Sequence, residues 1–179
     1  MIGSGYGGNY DGTDGNATGT RSKDLNLAAT LDAEDRFGEA VSLDYDSTLG
    51  RHRLAVIARD DEGEGDAAGN NVETGAVYLF TFTDDSFSGA DHVGTIGHSY
   101  DTTDSDFDLR ITSSNTNQGA LTSVALEGNY LAVGAGKSTV SNTDDGQVEL
   151  FSFTNNSTTT QFNNIESEGT LCTGCSNSQ

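Results

Sequence analysis

Proline and tryptophan are both absent from the chain, and only Lys23 and Lys137 carry an ammonium side chain. Without proline, reversals of direction fall to glycine, asparagine, aspartate and serine, which tolerate turn backbone. The lysine shortage belongs to a wider shortage of positive charge: eight basic residues stand against 28 acidic ones, a formal charge of −20. A nucleic-acid binder carries a basic face to meet phosphate, so charge argues against that partner class and, equally, against a polyanionic membrane surface. No run approaches the ~20 apolar residues of a membrane-spanning helix, which argues against membrane insertion. Nor can a long amphipathic helix be traced; the best candidate, Ala28 to Ala40, loses its period at Phe37-Gly38.

Signatures of catalysis are missing as well. No serine occupies a Gly-x-Ser-x-Gly elbow between a strand and a helix. No glycosidase-type carboxylate pair stands out among 28 acids. Gly3-Ser4-Gly5-Tyr6-Gly7-Gly8 lacks the lysine and following helix of a phosphate loop, and His52 and His98 read as surface histidines rather than bases. The expectation is a protein that is not an enzyme.

Cysteine is limited to Cys172-Thr-Gly-Cys175. A redox CxxC needs a strand-to-helix context that is missing here. One pair supplies only two zinc ligands, and His52, His92 and His98 are scattered. The reading is a local disulfide, Cys172 to Cys175, closing a terminal loop in an oxidising compartment; free thiols or bonds to another chain are the alternatives. Met1 leads directly into glycine-rich sequence without the basic start and apolar stretch of a secretory signal. An extracellular or cell-surface address therefore expects a processed or excised chain. Sequons at Asn16, Asn155 and Asn156 matter only if the source glycosylates.

What is present is glycine, 23 residues of it, among abundant Asp, Asn, Ser and Thr. The mixture suits short strands joined by polar turns. Disorder is excluded by dense β-branched and aromatic runs such as Leu54–Ile57 and Val77–Phe82. Internal similarity is stronger still. One unit contains Phe37–Leu43, Arg53–Ile57, Thr74–Thr83 and Val93–Ile96. A second contains Ala120–Leu126, Tyr130–Gly134, Asp145–Thr154 and Glu168–Leu171. The matched segments lie 83, 77, 71 and 75 residues apart, in the same order. Drifting offsets in a fixed order mark conserved strands joined by loops of unequal length.

Within segments the alternation is strand-like: Ala40, Ser42 and Asp44 share one face, Val41 and Leu43 the other. Val77, Leu79 and Thr81 alternate with Tyr78, Phe80 and Phe82, so this strand is apolar on both faces and belongs between packed layers. Four such strands per unit describe a propeller blade. The fold class read here is all-β, built of antiparallel four-stranded β-propeller blades. Residues 1–36 form the end of a partial blade, 37–113 a first full blade with long loops, and 114–179 a second blade with the CxxC segment.

The order Phe-Gly-x-x-Val-x-Leu, Leu-Ala-Val-Gly-Ala-Gly and Gly-Ala-Val-Tyr-Leu-Phe resembles the FG-GAP repeats of bacterial surface proteins and integrin α-subunit propellers, over about Phe37 to Leu171. The second unit departs from it with Ala120-Leu121 in place of Phe-Gly, and the first with Ile57-Ala58-Arg59 in place of Gly-Ala-Pro. The resemblance implies calcium in a loop between the first two strands, here Asp44 to Gly50 with Asp46 as second carboxylate. Thr48 stands at the third acidic position, and Arg51, His52 and Arg53 follow where a late carboxylate is expected.

Other acidic sets offer calcium ligands: Asp101, Asp104, Asp106 and Asp108; Asp60, Asp61, Glu62, Glu64 and Asp66; and Asn9, Asp11, Asp14 and Asn16. The competing reading for each is a hydrated loop. The function implied is an extracellular module for adhesion or for binding a protein or glycan ligand, and Tyr78, Tyr100 and Tyr130 are the aromatics available to stack on a sugar. The alternative is a structural subunit that assembles with copies of itself into a surface layer, sheath or filament, because a stack of blades presents unpaired edges.

Overall fold

The computed structural model describes residues 2–3, 25–26, 31, 35–63, 74–97, 100, 107–108, 121–136, 146–156 and 160–172. All regular structure among them is β. In chain order the strands are β1 (Ile2–Gly3), β2 (Leu25–Asn26), β3 (Phe37–Asp46), β4 (Arg51–Ala58), β5 (Ala76–Thr81), β6 (Asp91–Gly97), β7 (Phe107–Asp108), β8 (Leu121–Glu127), β9 (Tyr130–Ala135), β10 (Gln147–Asn156) and β11 (Thr160–Cys172). Each of the eight segments matched in sequence becomes one of these strands.

Strands β3 to β6 form an antiparallel four-stranded meander, to which β7 adds a two-residue parallel pairing at the β6 edge. Strands β8 to β11 form a second antiparallel meander. Neither sheet closes on itself. β1 and β2 pair over two residues and in parallel, unlike the antiparallel neighbours that a blade requires. Beyond these, Leu31, Asp35 and Arg36, the expected partial blade lies outside the described residues.

The two meanders stack face to face, and the period-2 alternation decides what meets. The first sheet turns Ala55, Ile57, Val77, Leu79 and Ile96 toward the second, which answers with Leu121, Leu126, Leu131, Val133, Phe151 and Phe153. We call the former the forward face of the first sheet and the latter the rear face of the second. Burial of a side chain such as Ile57 or Leu79 contributes about 1.5–3 kcal/mol, so this seam supplies much of the fold's stability. The first sheet's rear face is also partly covered: Val56, Tyr78 and Phe80 pack with Leu31, Phe37, Leu54 and Tyr100. Strand β5 is consequently buried on both faces, as its two-sided apolar pattern requires.

A bulge and a turn show how glycine and short polar side chains redirect the backbone without proline. Phe37-Gly38 opens β3 with Gly38 at φ +98° and a register shift before Val41. The resulting bulge swings the Phe37 ring edge-on to Tyr78 at 5.6 Å and Phe80 at 6.1 Å. Between β5 and β6, the Asp84 carboxylate accepts hydrogen bonds from Ser86 N and Ser86 Oγ, both at 2.8 Å, and from Ser88 N at 3.1 Å. The Ser88 backbone and Ser86 hydroxyl bonds hold the Asp84 carboxyl down to about 2.

Candidate functional site

The β3–β4 turn and the β8–β9 turn come together at one end of the stack. Asp46 builds the first: its Oδ1 accepts from Thr48 N at 2.9 Å and Leu49 N at 3.1 Å, and its carbonyl accepts from Gly50 N at 2.8 Å. Arg53 stands opposite in register, since Asp44 pairs with Arg53 across the hairpin. Its side chain is 1% exposed. One guanidinium nitrogen, Nη2, donates to Asp44 Oδ2 and, at 2.8 Å, to the carbonyl of Gly128 in the second sheet. Nη1 lies 3.9 Å from Asp46 Oδ2. The guanidinium carbon sits 5.5 Å from the Phe153 ring centre and 5.7 Å from that of Phe162, both on the second sheet. A buried cation is tolerated when it is paired and hydrogen-bonded, and planar guanidinium also stacks on aromatic faces. Arg53 therefore pins one sheet to the other.

Beside this pin opens a cleft of about 450 Å³, lined among others by Tyr45, Asp46, Ser47, Thr48, Arg53 and Asn129. Tyr45 is half exposed and stands 5.0 Å from the His52 ring, which in turn stacks on Phe87 at 4.3 Å. The turn backbone beneath is fixed by Asp46, so the hydroxyls of Ser47 and Thr48 are carried on a defined frame.

A second polar cluster lies past the other end of β4. Asp61 is buried. Tyr78 OH donates to its Oδ2 at 2.7 Å, and Tyr100 OH lies 3.0 Å from Oδ1, 3.1 Å from Oδ2 and 3.0 Å from Tyr78 OH. Gly63 N donates to Oδ1 at 2.8 Å, and Gly75 N donates to the Asp61 carbonyl at 2.9 Å. These bonds tie together the base of the long loop after Arg59. Burial, then the negative charge of Asp61, pushes both phenols above their ordinary range.

The residues proposed from sequence fare differently. Asp44 and Asp46 are brought together, but around Arg53: a cation of the chain's own already stands between them, and a calcium ion there would have to displace it. Asp61 is not a hydrated loop acid, whereas its neighbour Asp60 pairs with Arg36 at 2.8 Å. Asp101, Asp104, Asp106, Asn16 and Cys175 lie outside the described residues, as do the side chains of Asp108, Asn155, Asn156 and Cys172. Among the described residues no group of three or more His, Cys, Asp or Glu is placed to hold a metal. Tyr78 is a core residue, Tyr100 joins it on Asp61, and Tyr130 is exposed at the start of β9.

Sequence alone gives Arg53 no role beyond its departure from a calcium loop, and it gives none to Gly128 or Phe162. The run Arg51-His52-Arg53 after the turn was the available signal: basic residues next to Asp44 and Asp46 announce a pair rather than a metal loop.

No family model matches the chain, and neither does any curated protein or solved structure. The resemblance to FG-GAP repeats rests on the segments quoted above, and function must be argued from the site.

Proposed function

We propose that the chain is an extracellular, non-enzymatic binding module of β-propeller type, taking a glycan or protein ligand at the turn end of its sheets. The observation that carries this reading is the cleft beside Arg53. It combines a half-exposed aromatic ring, Tyr45, with the hydroxyl groups of Ser47 and Thr48 on a turn that Asp46 holds rigid. An amphipathic ring next to a few convergent polar groups is the composition of a ligand site. The chain's charge of −20 selects among ligands: neutral or cationic ones are admitted and polyanions repelled. Two four-stranded meanders stacked in the same sense support the blade reading, as does the FG-GAP resemblance. Calcium enters through Asp101, Asp104, Asp106 and Asp108, not through Asp44 and Asp46, whose carboxylates Arg53 holds.

Saturation-transfer NMR with neutral and sulfated oligosaccharides tests the glycan form of this reading. Neutral sugars are expected to bind and sulfated ones to fail, with Tyr45→Ala weakening binding about tenfold, or ~1.4 kcal/mol. Binding that ignores Tyr45→Ala would remove the cleft from the argument. Repeating the titration in chelator reads the calcium contribution directly.

A second reading, a structural subunit that assembles with copies of itself, is favoured by a separate observation: apolar side chains left bare on the outer faces of the two sheets.

A further inference from the structure

Because the two sheets are built from the same segments, each position in one has a counterpart in the other, and several counterparts differ sharply in exposure. Ile96 is fully buried on the forward face of the first sheet, while its counterpart Leu171 is 61% exposed on the second. Val77 and Leu79 are fully buried there, while Val148 and Leu150 are only partly buried. The rear faces show the converse. Leu126 of the second sheet is 6% exposed, whereas its counterpart Leu43 is 50% exposed and Val41 beside it 61%. Cross-strand register puts Leu171 and Val148 on one face, with Leu150 and Ala132, and puts Val41 and Leu43 together on the other, opposite Val56 and Leu54. The bare residues are those whose counterparts fill the seam between the sheets.

We propose that these two faces dock between molecules, the forward face of the second sheet of one copy against the part of the first sheet's rear face that Leu31, Phe37 and Tyr100 leave bare in the next, following the seam already made inside each chain. The inference rests on the assembly reading above and not on the cleft. Inside the chain, β8 lies over β3 and β4, so in the docked pair β3 of the second copy lies over β8 and β9 of the first. The small side chains of Ala125 and Ala132 permit that approach. Arg53, which crosses the inner seam to Gly128, has Tyr130 as its counterpart, and Gly128 has Tyr45. Tyr130 is 67% exposed and Tyr45 48%, so two amphipathic rings meet where the inner seam has the hydrogen bond from Arg53 to the Gly128 carbonyl. Each contact joins unlike faces and is heterologous, so copies add head to tail. Both partners carry a charge of −20, so association strengthens as salt shortens the range of repulsion, from about 10 Å at 0.1 M to about 3 Å at 1 M.

Sedimentation velocity on the full chain tests this, at low salt and at about 1 M salt. Oligomers that grow with protein and salt concentration are expected. Leu43→Glu and Leu171→Glu alter exposed side chains, so each folds as the parent does by circular dichroism, and each alone is monomeric. Mixed in equal amounts, the two variants form a dimer and nothing larger, because each retains one intact face. A parent chain monomeric at high salt overturns the docking and the assembly reading together. Variants that assemble like the parent, or a mixture that stays monomeric, overturn the paired faces while leaving assembly by another surface standing.

Discussion

Single residues carry the cost of unusual positions in this fold. Phe162 holds φ +60°, a left-handed backbone that costs a non-glycine residue about 1–2 kcal/mol. Its ring is fully buried, 4.7 Å from Phe153 and beneath Arg53; burial of a ring that size more than offsets the backbone strain. Tyr78 and Tyr100 face a different cost, since either phenol would have to ionise next to the buried Asp61 carboxylate. Their folded pKa values are raised by burial and by Asp61. The stabilisation is therefore complete below pH ~10, where unfolded tyrosine begins to ionise, and is lost as pH rises beyond it. In an alkaline titration following phenolate absorbance and circular dichroism together, two of the six tyrosines should ionise only as structure is lost. Full ionisation of all six with the sheets intact would disprove the Asp61 arrangement.

At the level of elements, the two third strands enter through equivalent glycines. Gly75 before β5 holds φ +79° and Gly146 before β10 holds +66°. A Cβ on Gly75 would lie 2.7 Å from Arg59 O and 3.0 Å from Leu121 Cγ, whereas one on Gly146 would meet nothing nearer than Ala135 O at 3.3 Å. Both alanine variants incur the left-handed cost of about 1–2 kcal/mol, and Gly75→Ala a steric cost besides. Chemical denaturation should accordingly rank Gly75→Ala below Gly146→Ala in stability; equal midpoints would show that Arg59 O and Leu121 do not crowd Gly75 as described.

The strands themselves were legible because alternation and repetition are local properties: Val77 to Phe82 reads as a two-sided strand without any knowledge of its neighbours. The site was less legible because its partners are remote. Arg53 reaches Gly128, 75 positions along the chain, and Asp61 meets Tyr100, 39 positions away. No spacing rule joins such residues, so Asp61 reads in sequence as one more loop acid. Asp44 and Asp46 resembled calcium ligands for the same reason: only the hairpin register puts Arg53 between them.

Across the whole molecule, one apolar cluster is shared by both meanders, so neither sheet keeps a complete core without the other. Leu126→Ala removes a buried side chain from that seam at a cost of about 2–5 kcal/mol. Thermal unfolding of this variant should remain a single transition, shifted down, with amide exchange accelerated in β4 and β5 as well as in β8 and β9. Two separated transitions would mean that the sheets fold independently. The same seam protects the lateral margin of the second sheet. β8 is its outermost strand on one side, and the outward amide of Leu126 donates to Ser42 Oγ of the first sheet at 2.9 Å. On the opposite margin β11 pairs with β10 through three register shifts and carries Glu166 and Glu168. A capped amide, repeated bulges and charge are the devices that stop a stray strand from adding to a sheet. A chain this rich in β-structure is thereby guarded against strand addition at the lateral edges of that sheet.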